Sequence, residues 1–394
     1  MRLTNEEEDN DQNLLPERSE IEDDSKHFGD YQGMVHDGQI RLLFANINGI
    51  PATADHPKNS MIKASITKTG ASIIGFAETN LCWKKLRGKE RWEERSYGWW
   101  EDMRSVTSHN TLETPKKVYQ PGGNMMISQG KIKFRIIESG VDPSNMGRWC
   151  WQLFSGKRGV TTRVITAYRP CKSRGLTSTY IQQTCILDAK KVDACPRQKM
   201  INDITVQIKE WLNNGDQIIL MLDLNDNVLN SSASNKLKSI GLKECITHRH
   251  DDLRPMATCN RGTKVIDGVY VSNTIMIQKG GYCPFNTFPS DHRALWLDIT
   301  MSNLCGNSMA KVLHPQARRL KCNSPLIQNK WTELFMTALQ DKNAVQRAYN
   351  LQNKLVRPLT SELITEYEKL RRIRTDARRY ADKNCRKLRM GGVP

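Results

Sequence analysis

The 394-residue chain has no apolar run close to the roughly 20 residues that a membrane-spanning helix needs. It opens with Met-Arg-Leu-Thr followed by acidic residues, which is not the pattern of a secretory signal peptide. Both absences predict a soluble, intracellular protein with no membrane partner. At this length we expect one large domain with appendages.

Cysteine pairs are also lacking. The eleven cysteines are scattered along the chain, and none of them forms a Cys-x-x-Cys motif. This spacing argues against a zinc cluster and against the disulfide framework of a small secreted protein. We therefore predict reduced thiols, most of them buried.

Outside the N-terminal segment acidic residues are fewer than basic ones, and the net charge of the whole chain is +17. Residues 1–38 carry 12 acids and 3 bases, which predicts a disordered acidic tail. Residues 303–394 carry 19 bases and 7 acids, and the segment between them has a net charge of +14. A core segment this basic is typical of proteins that bind a polyanion.

Polar motifs follow short apolar runs at six places in the chain, where strands are predicted to end. They are Asn46-Ile47-Asn48-Gly49, Glu78-Thr79, Tyr168-Arg169-Pro170, Asp223-Leu224-Asn225, Ile266-Asp267-Gly268 and Ser290-Asp291-His292. Because strand ends deliver side chains to a shared cleft, we expect these residues to converge. Carboxylates, amides, a tyrosine and a histidine together suit a hard divalent cation and a phosphate ester.

Two further segments have their own patterns. Residues 105–120 are long and polar, which predicts a surface insertion or a substrate loop. Residues 362–388 repeat apolar side chains at a spacing of three to four, which predicts an amphipathic helix. The opposite face of this helix is crowded with arginine and lysine, so it is either a solvated face or a face for nucleic acid.

From residue 40 to residue 299 the chain resembles the endonuclease/exonuclease/phosphatase family, which includes deoxyribonuclease I and the abasic-site endonucleases. Three motifs are similar to those of LINE-type retrotransposon endonucleases: Ala45-Asn46-Ile47-Asn48-Gly49-Ile50, Phe76-Ala77-Glu78-Thr79-Asn80 and Gly147-Arg148-Trp149. Residues 316–323 and 385–390 resemble the connector that precedes reverse transcriptase in such elements. The chain has no Tyr-x-Asp-Asp polymerase motif, so reverse transcriptase would be a fused or neighbouring partner.

The resemblance implies an α/β fold, a four-layer α/β/β/α sandwich of two mostly antiparallel sheets, with a helical extension at the C-terminus. The domains expected from it are a disordered acidic tail at residues 1–38, the catalytic domain at residues 39–302, and a basic helical connector at residues 303–394. It also implies DNA as the substrate and a nuclear location.

Roles for the motif residues follow from their chemistry and from the resemblance. Glu78, directly after a buried strand, is the first choice as a ligand of Mg²⁺ or Mn²⁺. The resemblance adds Asp291 near the metal and makes Asn46 a ligand on the metal side or the phosphate side. Asp223 is the candidate base for water, and Asn225 holds the phosphate or the water. The resemblance pairs Asp267 with His292 and makes Tyr168 a phosphate contact. Arg148, Arg169 and Asn48 are predicted to bind substrate.

Two residues depart from the family pattern. Cys171 stands where the endonuclease branch usually has asparagine, which removes an amide donor near the phosphate. Leu222 stands where many relatives have glycine before Asp-x-Asn, and we expect that change to affect packing alone.

The leading prediction is a magnesium-dependent endonuclease that nicks DNA in a non-LTR retrotransposon or a derivative of one. An abasic-site repair endonuclease is the second interpretation. A lipid or inositol phosphatase is a third, which the basic charge and the missing membrane features disfavour. A non-catalytic nucleic-acid-binding module is a fourth, against which the intact set of motif residues argues. RNA is a further expected partner, through the basic C-terminal helix.

Overall fold

The structure is a computed structural model that describes residues 26–97, 103–114, 118–306, 324–354 and 360–385. The chain divides into two compact units, Met1–Val312 and Leu313–Pro394, which we describe separately. No helix in the described part of the chain is long and apolar enough to cross a membrane.

Two sheets form the framework of the first unit. The strands are β1 (Phe28–Gly29), β2 (Gln39–Asn46), β3 (Ile73–Ala77), β4 (Met103–Ser108), β5 (Asn124–Gln129), β6 (Ile136–Val141), β7 (Trp149–Ser155), β8 (Thr161–Tyr168), β9 (Asp216–Asp223), β10 (Leu242–Glu244), β11 (Asp267–Ser272), β12 (Ile277–Tyr282) and β13 (Leu295–Thr300). The first sheet has the order β1-β12-β13-β2-β3-β5-β4, and the second has the order β10-β11-β9-β8-β7-β6. Only β2–β3 in the first and β8–β9 in the second are parallel pairs among these strands.

Helices accompany both sheets. In the first unit they are α1 (Pro57–Thr69), α2 (Trp92–Tyr97), α3 (Thr179–Ala189), α4 (Pro196–Asn213), α5 (Ser232–Lys238), α6 (Ile246–Arg249) and α7 (Met301–Cys305). The predicted α/β sandwich of two mostly antiparallel sheets is therefore confirmed.

The alternation of side chains along β2 shows how the layers are built. Leu42 and Phe44 belong to a large core that also contains residues of the second sheet. Leu43 and Ala45 point the other way and pack with Ile62 and Ile66 of α1, as the two-residue period of a strand requires. On the second sheet, α4 begins at a proline in its first turn and packs against β9, burying residues at helical spacing such as Met200, Ile204 and Ile208.

The two sheets approach closely at Gly75 in β3. A Cβ at this position would lie 2.3 Å from Oγ1 of Thr166 in β8 and 2.9 Å from Cε of Met221 in β9. The absence of a side chain at Gly75 therefore lets the central strands of the two sheets pack together, directly beneath the strand ends that carry the polar motifs.

The first unit differs from the sequence-based boundaries at both ends. Phe28 is 3% exposed and β1 pairs with β12, so residues 26–38 are part of the fold; the prediction of disorder for residues 1–25 lies outside the described residues. Residues 103–108, at the start of the predicted polar insertion, form the edge strand β4. At the other end, α7 extends past residue 302 and buries Leu304 and Cys305.

The second unit contains three helices in its described residues: α8 (Pro325–Gln340), α9 (Ala344–Asn353) and α10 (Ser361–Asn384). The amphipathic helix predicted for residues 362–388 corresponds to α10, while residues 386–388 lie outside the described part. A hydrogen bond from Trp331 Nε1 to Asp382 Oδ1 at 2.9 Å joins α8 to α10. The ion pair of Arg347 with Glu366 at 2.7 Å joins α9 to α10. The helical C-terminal extension is thus confirmed.

Candidate active site

Three strands of the second sheet place polar side chains next to one another. In the strand register, Asp223 at the end of β9 lies opposite Asp267 at the start of β11, and Tyr168 at the end of β8 is the parallel neighbour of Asp223. Both carboxylates are fully buried, and Tyr168 is 4% exposed. Two carboxylates side by side in a buried position are costly unless a cation or hydrogen bonds compensate them.

Asn46 and Glu78, from the first sheet, connect to this group. Asn46 ends β2, and its Nδ2 donates to Asp223 Oδ2 at 2.8 Å and to Glu78 Oε2 at 2.9 Å. The hydroxyl of Tyr168 donates to Glu78 Oε1 at 2.5 Å. Because the amide nitrogen and not the oxygen faces the carboxylates, Asn46 positions Glu78 and Asp223 here. The role of Asn46 as a ligand on the metal side stays a prediction.

Glu78 has an unusual backbone conformation. Its φ is +51°, in the left-handed region that non-glycine residues seldom adopt. Its carbonyl accepts from Gly49 N at 2.7 Å, and the following residue, Thr79, donates its N–H to Gly123 O at 3.3 Å. Such conformations persist where the surroundings impose them and are concentrated at functional sites.

His292 forms the second centre of the site. Its Nδ1 lies 2.8 Å from Asp267 Oδ2, and the ring is largely buried. Ser290 ties this motif to the first sheet, because its hydroxyl donates to Asn46 O and accepts from the backbone N of His292. The predicted pairing of Asp267 with His292 is therefore present in the geometry.

Burial and charge act on this pair in opposite directions. Burial disfavours the imidazolium, but the charge of Asp267 and its hydrogen bond outweigh burial and hold the pKa of His292 well above its usual range. For Asp223 the two causes act in the same direction: burial is the larger and the negative charge of Asp267 the second, and both raise its pKa. The site thus pairs a cationic histidine with a carboxylate of increased basicity.

The donor set fits a divalent cation. Ligand atoms of Asp223, Asp267 and His292 lie within 4.8 Å of one another. Because a cationic His292 has no lone pair to offer, the two carboxylates are the members of this group that could bind a cation. Asp267 Oδ1 is buried and has no hydrogen-bond partner among the described residues, so a carboxylate lone pair is left for a cation. Glu78 uses each oxygen once as an acceptor, which leaves further lone pairs on both.

Asp291, the third predicted metal ligand, is connected to Glu78 through Asn48 and Asn46 in the hydrogen-bond network. Its Oδ1 accepts from Asn48 Nδ2 at 3.0 Å, and Arg261 Nε lies 3.7 Å from its Oδ2. Asn48 in turn donates its backbone N–H to Asn46 Oδ1. These contacts place Asn48 and Asp291 together at the partly exposed rim of the site.

Asn225 is held by the loop that carries it. Its φ is +47°, its backbone N donates to Asp223 Oδ1 at 2.9 Å, and its Nδ2 donates to Arg169 O at 2.8 Å. These bonds leave the side-chain Oδ1 of Asn225 as the atom that could accept a hydrogen bond from water.

Ion pairs with carboxylates hold the two arginines that are predicted to bind substrate. Arg148 is 1% exposed, and its guanidinium binds Asp142 at 2.6 Å and Asp203 at 2.8 Å. Arg169 is 5% exposed and holds the Asp-x-Asn loop, through Leu224 O and Asp226. Burial and carboxylate partners occupy both guanidinium groups, and substrate binding by these arginines stays a prediction.

Three residues that the sequence did not single out support the site. Lys58 Nζ donates to the carbonyls of Ile47 and Asn48 at 2.9 and 3.0 Å. Arg197 donates to Pro170 O and Asn225 O at 2.8 and 2.9 Å, and Thr258 Oγ1 accepts from the backbone N of Asp267. Each acts on backbone atoms distant in sequence, so no local pattern reveals it.

The two departures from the family pattern have different surroundings. Cys171 is exposed as a residue, but its thiol group is partly desolvated, and this desolvation raises the pKa of the thiol. Leu222 is fully buried in the core, as expected for a change that affects packing.

Solved structures of the endonuclease/exonuclease/phosphatase family resemble this chain. The 3′ phosphatase NExo from Neisseria, bound to a product DNA hairpin, is 12% identical with a TM-score of 0.48, over 66% of this chain and 99% of that chain. The endonuclease domain of TRAS1, a telomere-specific non-LTR retrotransposon, is 12% identical with a TM-score of 0.41, over 68% and 100%. The human Nocturnin catalytic domain with bound sulfate is 14% identical with a TM-score of 0.44, over 67% and 93%.

No family model matches the chain, and no curated protein matches it. At 12–14% identity the roles of individual residues do not transfer from these structures. The roles considered below therefore rest on the contacts within this chain.

Proposed function

We propose that the first unit is a metal-dependent phosphodiesterase that acts on DNA, and that it nicks one strand as the endonuclease of a non-LTR retrotransposon or a derivative of one. The observation that carries the proposal is the 2.8 Å pair of His292 and Asp267 beside Asp223, linked through Asn46 to Glu78. This arrangement supplies a general base and a cationic donor within one buried cluster.

Each residue of the cluster has its own role in this proposal. Asp223 accepts the proton of the attacking water, and Asn225 orients that water through its free side-chain oxygen. His292, kept cationic by Asp267, donates to a phosphate oxygen as negative charge develops there. Tyr168 fixes Glu78 through its hydroxyl. Mg²⁺, or Mn²⁺ in its place, would be held by Glu78 and would stabilise charge on the phosphate.

DNA is the favoured substrate because of charge. The segment between residues 38 and 303 has a net charge of +14, and positive charge of this size attracts a polyphosphate backbone more than a single small phosphate ester. The LINE-like motifs at Asn46, Glu78 and Arg148 support a retroelement origin, with a nuclear location and a fused or neighbouring reverse transcriptase.

Nicking of supercoiled plasmid by the full chain tests the proposal. We expect open circles with Mg²⁺ and none with a chelator. His292→Ala should lose on the order of 2.7–4 kcal/mol of transition-state stabilisation, a hundredfold or more in rate, and added metal should not restore it. His248→Ala removes an exposed histidine from the same unit and should keep full activity. Equal nicking by wild type and His292→Ala would place the active site elsewhere.

Glu78→Ala should behave differently from His292→Ala. Because Glu78 is the proposed ligand, its loss should raise the metal concentration that half-maximal nicking requires, and excess Mg²⁺ or Mn²⁺ should restore part of the rate. Glu138→Ala removes an exposed carboxylate and serves as the control. If metal instead rescues His292→Ala and leaves Glu78→Ala inactive, the two roles are reversed.

Oligonucleotide substrates separate the proposal from a repair enzyme. Duplexes that are intact, that contain one abasic site, or that end in a 3′ phosphate are incubated with the full chain and Mg²⁺. A nicking endonuclease cuts the intact duplex at internal positions. Cleavage restricted to the abasic duplex would support the repair interpretation, and release of phosphate alone would support a phosphatase.

A further inference from the structure

Helices α8 and α10 of the second unit frame a groove. Its volume is about 790 Å³, within the usual range for ligand sites. The walls include Ile327, Trp331 and Phe335 from α8 and Arg374, Arg378 and Asp382 from α10. The groove lies wholly within the second unit, so its function is separate from that of the catalytic cluster.

One wall of the groove carries two stacked aromatic rings. Trp331 and Phe335 are one helical turn apart, with ring centroids 5.0 Å from each other and an angle of 17° between the ring planes. The hydrogen bond from Trp331 Nε1 to Asp382 fixes the indole at the groove. None of the residues of α8 is buried, so both rings remain partly accessible. In such a stacked pair each ring keeps one outward face, and an accessible outward face can stack with another planar group.

The opposite wall is cationic. Arg374 and Arg378 are also one turn apart, and both are exposed. Arg378 makes only a loose ion pair with Asp382 at 3.8 Å, and Arg374 has no acidic partner within residues 324–354 and 360–385. Between Lys369 and Lys383 the helix has seven bases against two acids, Asp376 and Asp382. The wall therefore favours an anionic occupant with charges at regular spacing.

We propose that this groove binds a single strand of nucleic acid, with a base stacked on the aromatic wall of Trp331 and Phe335 and neighbouring phosphates bound by Arg374 and Arg378. Proteins that bind single strands with little sequence preference combine aromatic rings, on which bases stack, with guanidinium groups that bind phosphates. A duplex fits less well, because its base faces are covered. An apolar protein segment would fill the aromatic wall but would leave two arginines without counter-charges.

Binding of fluorescent 12-nucleotide strands to the full chain tests this, measured by anisotropy in chelator so that no strand is cut. The strands are oligo-dT, oligo-U, and a sugar-phosphate strand of the same length without bases, with a duplex as a fourth ligand. We expect the strand without bases to bind roughly 5- to 150-fold more weakly than oligo-dT, the range that stacking of one base covers. Equal affinity for both would overturn the stacking role.

Two double variants with the same change in charge separate the groove from general electrostatics. Arg374→Gln with Arg378→Gln removes the charges of the groove wall. Arg371→Gln with Arg379→Gln removes two charges from the same helix, at positions that pair with Glu368 and Asp376. The first should lower single-strand affinity at least tenfold and reduce the slope of log affinity against log salt by roughly 1.4. If the two variants bind equally, the groove is not the site.

The aromatic wall is tested with Trp331→Phe and Trp331→Ala. Phenylalanine keeps a ring, so it should retain most of the binding, whereas alanine should lose roughly 5- to 150-fold. Circular dichroism shows whether the alanine variant keeps its helices; if it does not, the arginine pair and the phenylalanine variant decide the question. A loss of affinity for oligo-dT or for oligo-U supports the proposal. The oligonucleotide whose affinity falls then identifies the natural strand as DNA or RNA. Unchanged binding together with altered self-association in sedimentation would overturn it in favour of a second copy of the chain.

Discussion

Arg148 carries its charge inside the first unit, where solvent screens it little. Asp142 and Asp203 compensate that charge at 2.6 and 2.8 Å. Burial pushes the pKa of Asp142 upward, but the hydrogen bond and charge of Arg148 outweigh it and hold that pKa below its usual range. The cluster therefore contributes to stability as a unit, since removing one member leaves an uncompensated buried charge.

We expect Arg148→Met to lower the free energy of unfolding by about 3–5 kcal/mol, because Asp142 is left buried without its partner. Adding Asp142→Asn should recover part of that loss. Arg174→Met, at an exposed position, should change stability by less than about 0.5 kcal/mol. Urea denaturation measures all three. A stable Arg148→Met variant that binds DNA poorly would instead support the substrate role that the sequence suggested.

The candidate cluster was accessible from the sequence because its members lie close to apolar strands. Glu78 follows β3 and Asp223 ends β9, whereas Asp267 begins β11 and His292 precedes β13. The structure brings the four side chains into one group together with Asn46. Their catalytic and metal-binding roles remain predictions. Lys58 and Arg197 were missed because each binds backbone carbonyls of other segments, and such contacts depend on the fold and not on a local motif.

At the level of elements, strand existence was easier to predict than strand pairing. The apolar runs that became β2, β3 and β9 are buried along most of their length, so composition alone identified them. The edge strand β4 was missed because its sequence, Met-Arg-Ser-Val-Thr-Ser, is polar and mostly half-exposed. Which strands meet across the two sheets depends on contacts such as that of Gly75 with Thr166, which have no signature in sequence.

Gly75→Ala tests that sheet contact. The new methyl group would lie 2.3 Å from Thr166 Oγ1, so β3 or β8 must shift. Overpacking of this kind costs about 1–3 kcal/mol. We expect the midpoint of thermal unfolding to fall, whereas Gly33→Ala should leave it unchanged because nothing lies within 4 Å of the new Cβ. A midpoint equal to that of wild type would mean that the sheets are farther apart at Gly75 than the structure shows.

Across the whole molecule, charge and folding divide the chain at different places. The density of net positive charge increases near residue 303, whereas the contacts of the first unit continue through α7. A boundary taken from composition alone therefore cuts through α7. The physical reason is that α7 has no charged residue, so it adds nothing to a charge count, although it buries Met301, Leu304 and Cys305.

Truncation at the two boundaries should give different stabilities. Leu304 and Cys305 are fully buried, and Leu304 O accepts a hydrogen bond from Thr162 Oγ1 in β8 at 2.6 Å. A chain that ends at Gly306 keeps these contacts, whereas a chain that ends at Ser302 loses them. We expect the free energy of unfolding of the shorter chain to be lower by at least about 2 kcal/mol, the lower end of the cost of losing a buried leucine side chain.

Leu304→Ala in the full-length chain provides the matched point variant for this truncation. It removes the buried side chain but keeps the backbone carbonyl that binds Thr162, so its loss of stability should be smaller than that of the chain ending at Ser302. Urea denaturation of the two truncated chains and of this variant gives the comparison. If the chain ending at Ser302 is as stable as the chain ending at Gly306, then α7 contributes nothing to the first unit and the boundary suggested by charge is correct.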